Sequence, residues 1–149
     1  MQRDRTRPLR LALVTETYPP ETNGVATTLK NWVDGLASRG NFVQVIRPRQ
    51  SHGDAESSRM RVEESIVPGL PLPGYRGLRF GLPSVRRLRQ WWRYWPPDVI
   101  HVATQGPLGW AAVRVGRELA VPTCSSFHTN FHAYDEHYRY GRLRRPVLS

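Results

Sequence analysis

Apolar and polar positions along this chain fall into short unbroken runs separated by longer amphipathic stretches. Residues 9–15 form an apolar run that barely alternates, which predicts a strand buried on both faces. After a Pro19-Pro20 loop, Asn23 or Gly24 opens a predicted helix. Val25, Leu29, Trp32, Val33 and Leu36 recur there at three-to-four spacing, and Gly40 stands where a C-terminal cap belongs. Residues 42–47 read as a second strand, stopped by Pro48. Residues 50–61 are polar and patternless and predict a mobile loop, and 65–67 predict a short strand. The four prolines and four glycines of residues 68–83 argue against helix and leave room for a brief strand at 79–80. Ser84 is placed to cap a helix over 85–95, which Pro96-Pro97 ends. Residues 98–103 predict a buried strand, Pro107 the first position of a helix to 119, and 121–127 a last strand with Pro122 near its start.

The predicted order is β-α-β, an irregular middle, then α-β-α-β. It implies an α/β fold, a Rossmann-like doubly wound parallel sheet with right-handed crossovers. Ligands of such sheets sit outside the carboxyl ends of the strands. Three loops leave those ends, at residues 16–24, 104–106 and 128–130, and each carries polar or small residues after an apolar strand. The glycine at the first helix start also suggests a small anion site, because first-turn N–H groups and the helix dipole favour negative charge there.

Composition narrows the class. A chain of 149 residues is about one domain, read here as a basic tail at 1–8 and a domain at 9–149. Its 39% hydrophobic content and mean hydropathy of -0.54 fit a soluble globular protein. One cysteine excludes a disulfide framework and favours a reducing compartment. No apolar run reaches the ~18 residues of a membrane span. The net charge of +10 favours phosphate-rich partners: nucleic acid, anionic lipid or a phosphorylated substrate. Lys30 is the sole lysine, so an arginine-rich gene composition accounts for part of that charge equally well.

The motifs carry a resemblance. Thr-Glu-Thr-Tyr-Pro-Pro at 15–20 with Asn-Gly-Val-Ala at 23–26 resembles the first loop of retaining glycosyltransferases of the two-domain GT-B fold. Arg-Pro-Arg at 47–49, Pro-Asp-Val-Ile-His-Val-Ala-Thr-Gln-Gly-Pro-Leu-Gly-Trp at 97–110 and Ser-Ser-Phe-His-Thr-Asn-Phe-His-Ala-Tyr at 125–134 extend the likeness. It covers about residues 9–141 and is to the N-terminal domain of the glycosyltransferase group 1, family 4-like enzymes, in the α-mannosyltransferase or glycolipid-forming subgroup. The resemblance implies an incomplete GT-B N-terminal domain, cut short at its C-terminus. That would be the acceptor side of an enzyme moving a hexose, mannose among the options, from a UDP- or GDP-sugar to a lipid-linked or other acceptor. It implies no cofactor and no metal; the departing phosphate takes the acceptor proton. The donor-binding domain would be missing, so this chain alone is expected to be inactive and to need that domain or a companion chain.

The same resemblance implies the site. His128 corresponds to the histidine beside the donor sugar, orienting a hydroxyl or supporting the developing oxocarbenium charge. Gly24 lets the backbone approach the donor diphosphate or the acceptor. Asn23 bonds a ligand or sets the turn, and Glu16 binds substrate or caps the turn. Val25, Gly106, Thr129, Asn130 and Tyr134 complete the expected substrate contacts. Gln105 stands where many relatives carry Glu, which weakens a bond to the acceptor or to a basic partner. His132 lies four residues beyond His128 with no third ligand at zinc spacing.

Other residues have competing readings. His101 and Cys124 lie mid-strand and are expected to be core packing. In the helix at 85–95, Val85, Leu88, Trp92 and Trp95 form a core stripe, while Arg86, Arg87, Arg89, Arg93 and Trp91 make either a solvated back or an interfacial, lipid-facing surface. Tyr138, with Tyr134, Tyr140 and the arginines 139, 142, 144 and 145, lines an acceptor groove, touches membrane or faces the absent domain. A peripheral position at the inner face of the cytoplasmic membrane is the lipid version of a cytoplasmic location. The alternative function is a basic nucleic-acid-binding or partner-dependent non-catalytic module. Nucleic acid is the less favoured partner, since no recognised signature accompanies the charge.

Overall fold

A computed structural model describes residues 7–71, 73, 79–104 and 106–126. The elements are β1 (Arg10–Val14), α1 (Gly24–Ser38), β2 (Phe42–Pro48), β3 (Ser57–Arg59), β4 (Val62–Val67), β5 (Gly69–Pro71), β6 (Arg79–Gly81), α2 (Val85–Tyr94), β7 (Val99–Val102), α3 (Pro107–Glu118) and β8 (Thr123–Ser125). The main sheet runs β3-β4-β2-β1-β7-β8. Every pairing is parallel except β3 with β4. The chain builds outward from β1 through β2 to β4, then returns to lay β7 and β8 on the other side. The topological switch therefore falls between β1 and β7, where a doubly wound sheet opens its binding crevice.

Alternating β1 residues feed two cores. Leu13 packs with Val43, Val45, Leu29 and Val33 under α1. Ala12 and Val14 pack on the opposite face with Leu88 and Trp92 of α2 and Leu108, Ala111, Ala112 and Val115 of α3. Both faces are covered, which explains why β1 and β2 read as nearly continuous apolar runs. The α1 stripe lies inward as its spacing predicts, except Trp32, which stays half-exposed. Gly40 follows Arg39, the residue that caps the C-terminus of α1, with φ +92°, a left-handed conformation that favours glycine.

Several expectations need correction. The loop at 50–61 contains β3, whose antiparallel register sets Ser57 opposite Glu64 and Arg59 opposite Val62. The short strand at 65–67 extends back to Val62 because Val43 to Pro48 of β2 supply a full parallel partner. In the Pro- and Gly-rich stretch, β5 pairs with β6 as a hairpin. Ser84 precedes α2 but caps nothing with its side chain; its hydroxyl donates to the carbonyl of Leu82 at 3.0 Å. Trp95 lies past the end of α2, half-buried, with the Arg10 guanidinium 5.5 Å from its ring. The last strand is only three residues long and exposed, so Cys124 is exposed rather than core. His101 is buried as expected, with ring nitrogens 3.2 Å from Cys124 Sγ and 2.8 Å from Ser126 Oγ. Residues 1–6 of the basic tail lie outside the described residues; Arg7 forms an exposed pair with Asp98 at 3.5 Å.

Candidate functional site

The loop after β1 is built by its own polar side chains. Thr15 Oγ1 accepts the amide of Thr17 at 3.1 Å, and the hydroxyl of Thr17 donates to Glu21. Asn23 Nδ2 donates to Thr17 Oγ1 at 2.7 Å, while its Oδ1 accepts the Ala26 amide at 2.8 Å and caps α1. Asn23 thus sets the turn, with both ends of its amide engaged within the chain. Asn23→Ala removes the cap and the Thr17 contact. We expect it to cost about 1–2 kcal/mol in chemical denaturation; a loss well below ~0.5 kcal/mol means the loop holds without Asn23.

This loop meets the one after β7 at the switch point. The Glu16 amide donates to Thr104 Oγ1 at 2.6 Å. The Glu16 carboxylate accepts the amide of Gly81 from β6 and lies over the first turn of α3. A Cβ on Gly106 would run into that carboxyl, so glycine is what lets the loop close over it. Three segments distant in sequence therefore converge on Glu16.

The electrostatics are unusual for a sheet edge. Burial pushes the Glu16 pKa up to about 7, against the pull of the amides of Gly81, Leu108 and Gly109; the charge of Glu21 adds to the rise. Burial also raises Glu21, opposed by Thr17, the Arg79 amide, Gln50 and Asn23. Among the described residues, the buried side-chain atoms lacking hydrogen-bond geometry are Glu16 Oε1, Glu21 Oε1, Gln50 Nε2 and Arg79 Nε. All four sit on this edge, in the loops after β1 and β2 and in β6. Such clustering marks a place where stability is not the only constraint.

Gly24 is exposed at the start of α1, with open space where a side chain would stand. Val25 is half-buried and packs on the α1 core. Gly106 directly precedes α3. His128, Gln105, Thr129, Asn130, Tyr134 and Tyr138 lie outside the described residues. The structure adds Thr104, Glu21, Gln50, Arg79 and Gly81 to the neighbourhood of Glu16. Thr104 and Glu21 carried a sequence signal as members of the loops expected at strand ends, and Arg79 as part of the brief strand expected at 79–80; Gln50 and Gly81 carried none.

On the outer side of the same sheet face, α2 and α3 present a basic, aromatic surface. Arg89 grips Glu118 through bonds of 2.9 and 3.0 Å, tying the helices together. Arg87 donates to the Ile66 carbonyl at 3.2 Å and stacks over Trp91, which is partly buried. Arg86 and Arg93 are exposed, as are Tyr94 at 93% and Trp110 at 57%. Arg114 lies 5.6 Å from the Trp110 ring, beside Val113 and Arg117.

The profile of Glycosyltransferase Family 4 matches residues 22–149. A GDP-mannose-dependent alpha-mannosyltransferase of Mycolicibacterium smegmatis is 31% identical over 141 residues, covering 93% of this chain and 37% of that protein. The alpha-monoglucosyldiacylglycerol synthase of Acholeplasma laidlawii is 30% identical over 128 residues, covering 85% and 31%. Among solved structures, sucrose-phosphate synthase from Thermosynechococcus elongatus shares the fold, with a TM-score of 0.57 at 12% identity over 86% of this chain and 35% of that one. The chain spans about a third of the length of the curated relatives it matches.

Proposed function

The chain belongs to Glycosyltransferase Family 4, and its architecture is that of a GT-B N-terminal domain; from that premise we propose that it is the acceptor-side half of a retaining hexosyltransferase. The donor is a nucleotide sugar, GDP- or UDP-linked, and the acceptor is lipid-linked. The observation that carries this reading is the meeting of the β1 and β7 loops at the switch point, where the Glu16 amide lies 2.6 Å from Thr104 Oγ1, in the same loop that leads to the exposed Gly24 at the start of α1. In a doubly wound sheet that is where a ligand enters. The relatives' names supply the chemistry: one family of them uses GDP-mannose and another makes glucosyldiacylglycerol.

In this reading Gly24 and the first turn of α1 receive an anionic or polyhydroxyl group, and Gly106 with Gln105 borders it. His128, Thr129 and Asn130 close the sugar side, and Tyr134 borders the acceptor. The leaving phosphate takes the acceptor proton, so the domain's task is to position and to stabilise charge. The full-length gene product, given radiolabelled GDP-mannose or UDP-glucose and membrane lipid, is expected to place label in the organic extract. His128→Ala is expected to cut that transfer about a hundredfold or more with an unchanged melting temperature. No label in lipid from either donor rejects the reading; full activity of the variant removes His128 from the site.

The α2–α3 surface fits the lipid acceptor. Exposed Tyr94 and Trp110 among Arg86, Arg93, Arg114 and Arg117 have the composition of an interfacial surface over anionic headgroups. A cytoplasmic protein held at the inner face of its membrane is the corresponding location. Replacing those four arginines by glutamine should weaken binding to phosphatidylglycerol vesicles by about 1 kcal/mol each, roughly fivefold per residue. Tighter binding to DNA than to such vesicles, with a steep salt slope, would favour a nucleic-acid module instead.

A further inference from the structure

We propose that Glu16 is a positioning residue for this site: from the loop after β1 it supplies the cap that α3 lacks in its own sequence, and so ties the start of α3 and the β5–β6 hairpin to the segment that leads into α1. The geometry stands without the transferase reading; the effect on substrate rests on it.

The start of α3 needs a cap from elsewhere. A helix leaves its first amides without an intrahelical acceptor. In α3 the first intrahelical bond runs from the Trp110 amide to the Gly106 carbonyl at 2.9 Å, and Pro107 has no N–H. The orphan donors are therefore Leu108 and Gly109. Gly106, at the cap position, has no side chain to meet them, and the first turn holds no acid. The Glu16 carboxyl stands at these same two amides. It also fills the space that a side chain at position 106 would need: the three heavy atoms nearest to a Cβ there all belong to Glu16. A local cap and the Glu16 carboxyl thus compete for one place.

Each polar group of Glu16 holds a different segment. Its amide donates to Thr104 Oγ1 at 2.6 Å. Oε2 accepts the Gly81 amide of β6. Oε1 borders Gly106 at the helix end, without a linear bond to either orphan amide, where the α3 dipole favours negative charge. Gly81 is itself seated on the Leu108 side chain, where a Cβ would be 2.8 Å from Cδ2. The rest of the loop carries this tie onward, because Thr17, Glu21 and Asn23 bond one another up to the first turn of α1. A cap on residue 106 would serve the helix equally well and leave the two loops independent. A cap borrowed from the β1 loop fixes the Gly106 side of the crevice relative to Gly24.

The test separates the cap from the tie. In the full-length protein, Glu16→Ala should speed hydrogen exchange at Gly81, Leu108 and Gly109 about tenfold, while residues 43–48 of β2 stay flat. Glu16→Gln keeps the shape but has one acceptor oxygen, so Gly81 or the α3 pair should stay protected, not both. Glu16→Ala/Gly106→Ser puts a local cap into the space the carboxyl vacates; residue 106 is extended at φ 176° and ψ -177°, which serine adopts. This double variant should restore protection at Leu108 and Gly109 and leave Gly81 fast. Transfer from radiolabelled GDP-mannose or UDP-glucose to membrane lipid gives the second readout. The half-saturating lipid concentration should rise about tenfold in Glu16→Ala and stay raised in the double variant, whose α3 is capped but no longer tied. Unchanged exchange in Glu16→Ala, or both sides protected in Glu16→Gln, overturns the cap. Recovery of the half-saturating lipid concentration in the double variant overturns the positioning role and leaves helix stability as the whole task of Glu16. Absence of transfer in the parent overturns the transferase reading and not the cap, which the exchange pattern decides alone.

Discussion

Replacing Arg47 by alanine should cost about 3–5 kcal/mol, a large part of the ~5–15 kcal/mol available to a domain of this kind. Arg47 is 2% exposed at the end of β2. Its guanidinium holds Asp54 through two bonds of 2.6 and 2.8 Å and Glu64 through one of 2.9 Å. Burial works against its charge, and the two carboxylates more than offset that, keeping its pKa above the ordinary value. Asp54 is correspondingly held low by its bonds to Arg47, so its share of the stability is present at neutral pH and disappears as acid protonates it. Alanine would take from the partly buried Asp54 and Glu64 the guanidinium they share, leaving Arg49 as the cation near Asp54 and the Ser57 hydroxyl on Glu64, so that removing one partner costs more than the cluster is favourable. The damage should spread to the candidate site. Asp54 also accepts the Gln50 amide at 2.9 Å, and the Gln50 carbonyl receives Arg79 of the hairpin at 3.4 Å. The check is chemical denaturation of Arg47→Ala beside Arg47→Leu/Asp54→Asn/Glu64→Gln. The triple variant should recover more than half of the loss. A single-variant loss below ~1 kcal/mol would mean the ion cluster is solvated in solution.

That cluster shows where sequence reading stops. Arg47-Pro48-Arg49 stood out as a motif, yet one partner, Asp54, comes from a stretch that reads as patternless loop and the other, Glu64, from just before the expected strand at 65–67. Asp54 and Glu64 are 7 and 17 positions away, and nothing periodic marks them. The elements that were legible bury a continuous stripe or run: β1 and β2 announce themselves by unbroken apolar runs and α1, α2 and α3 by apolar spacing, with Asn23 and Gly40 flanking α1, Pro96-Pro97 ending α2 and Pro107 starting α3. The elements that were not legible owe their existence to a partner strand. β3 exists because it pairs with β4, and β5 because it pairs with β6. The candidate site divides in the same way. The meeting of the 16–24 and 104–106 loops follows from strand order alone. The role of Glu16 does not, because Gly81 lies 65 positions away and Thr104 88. Cys124 was misplaced for a related reason: a central apolar run and a three-residue edge strand look alike in sequence.

Trp92→Ala should destabilise the domain by about 3–5 kcal/mol, and the form of the loss separates packing from hydrogen bonding. Trp92 is 1% exposed at the centre of the core that α2 and α3 share with the sheet. Its Nε1 donates to Gln44 Oε1 at 3.1 Å, and Gln44 Nε2 donates to Ser65 Oγ at 3.1 Å. One polar thread thus runs from α2 through β2 to β4 inside an apolar layer. It explains why a glutamine is tolerated at 5% exposure in a central strand: both ends of its amide are satisfied. Trp92→Phe keeps most of the ring and strands the Gln44 acceptor, so it should cost about 1–3 kcal/mol. Adding Gln44→Leu to Trp92→Phe removes the stranded group and should recover part of that loss. Adding Gln44→Leu to the parent should instead strand Trp92 Nε1 and lower stability. Additive effects of the two substitutions in denaturation would show that the thread carries no coupling and that Trp92 acts by volume alone.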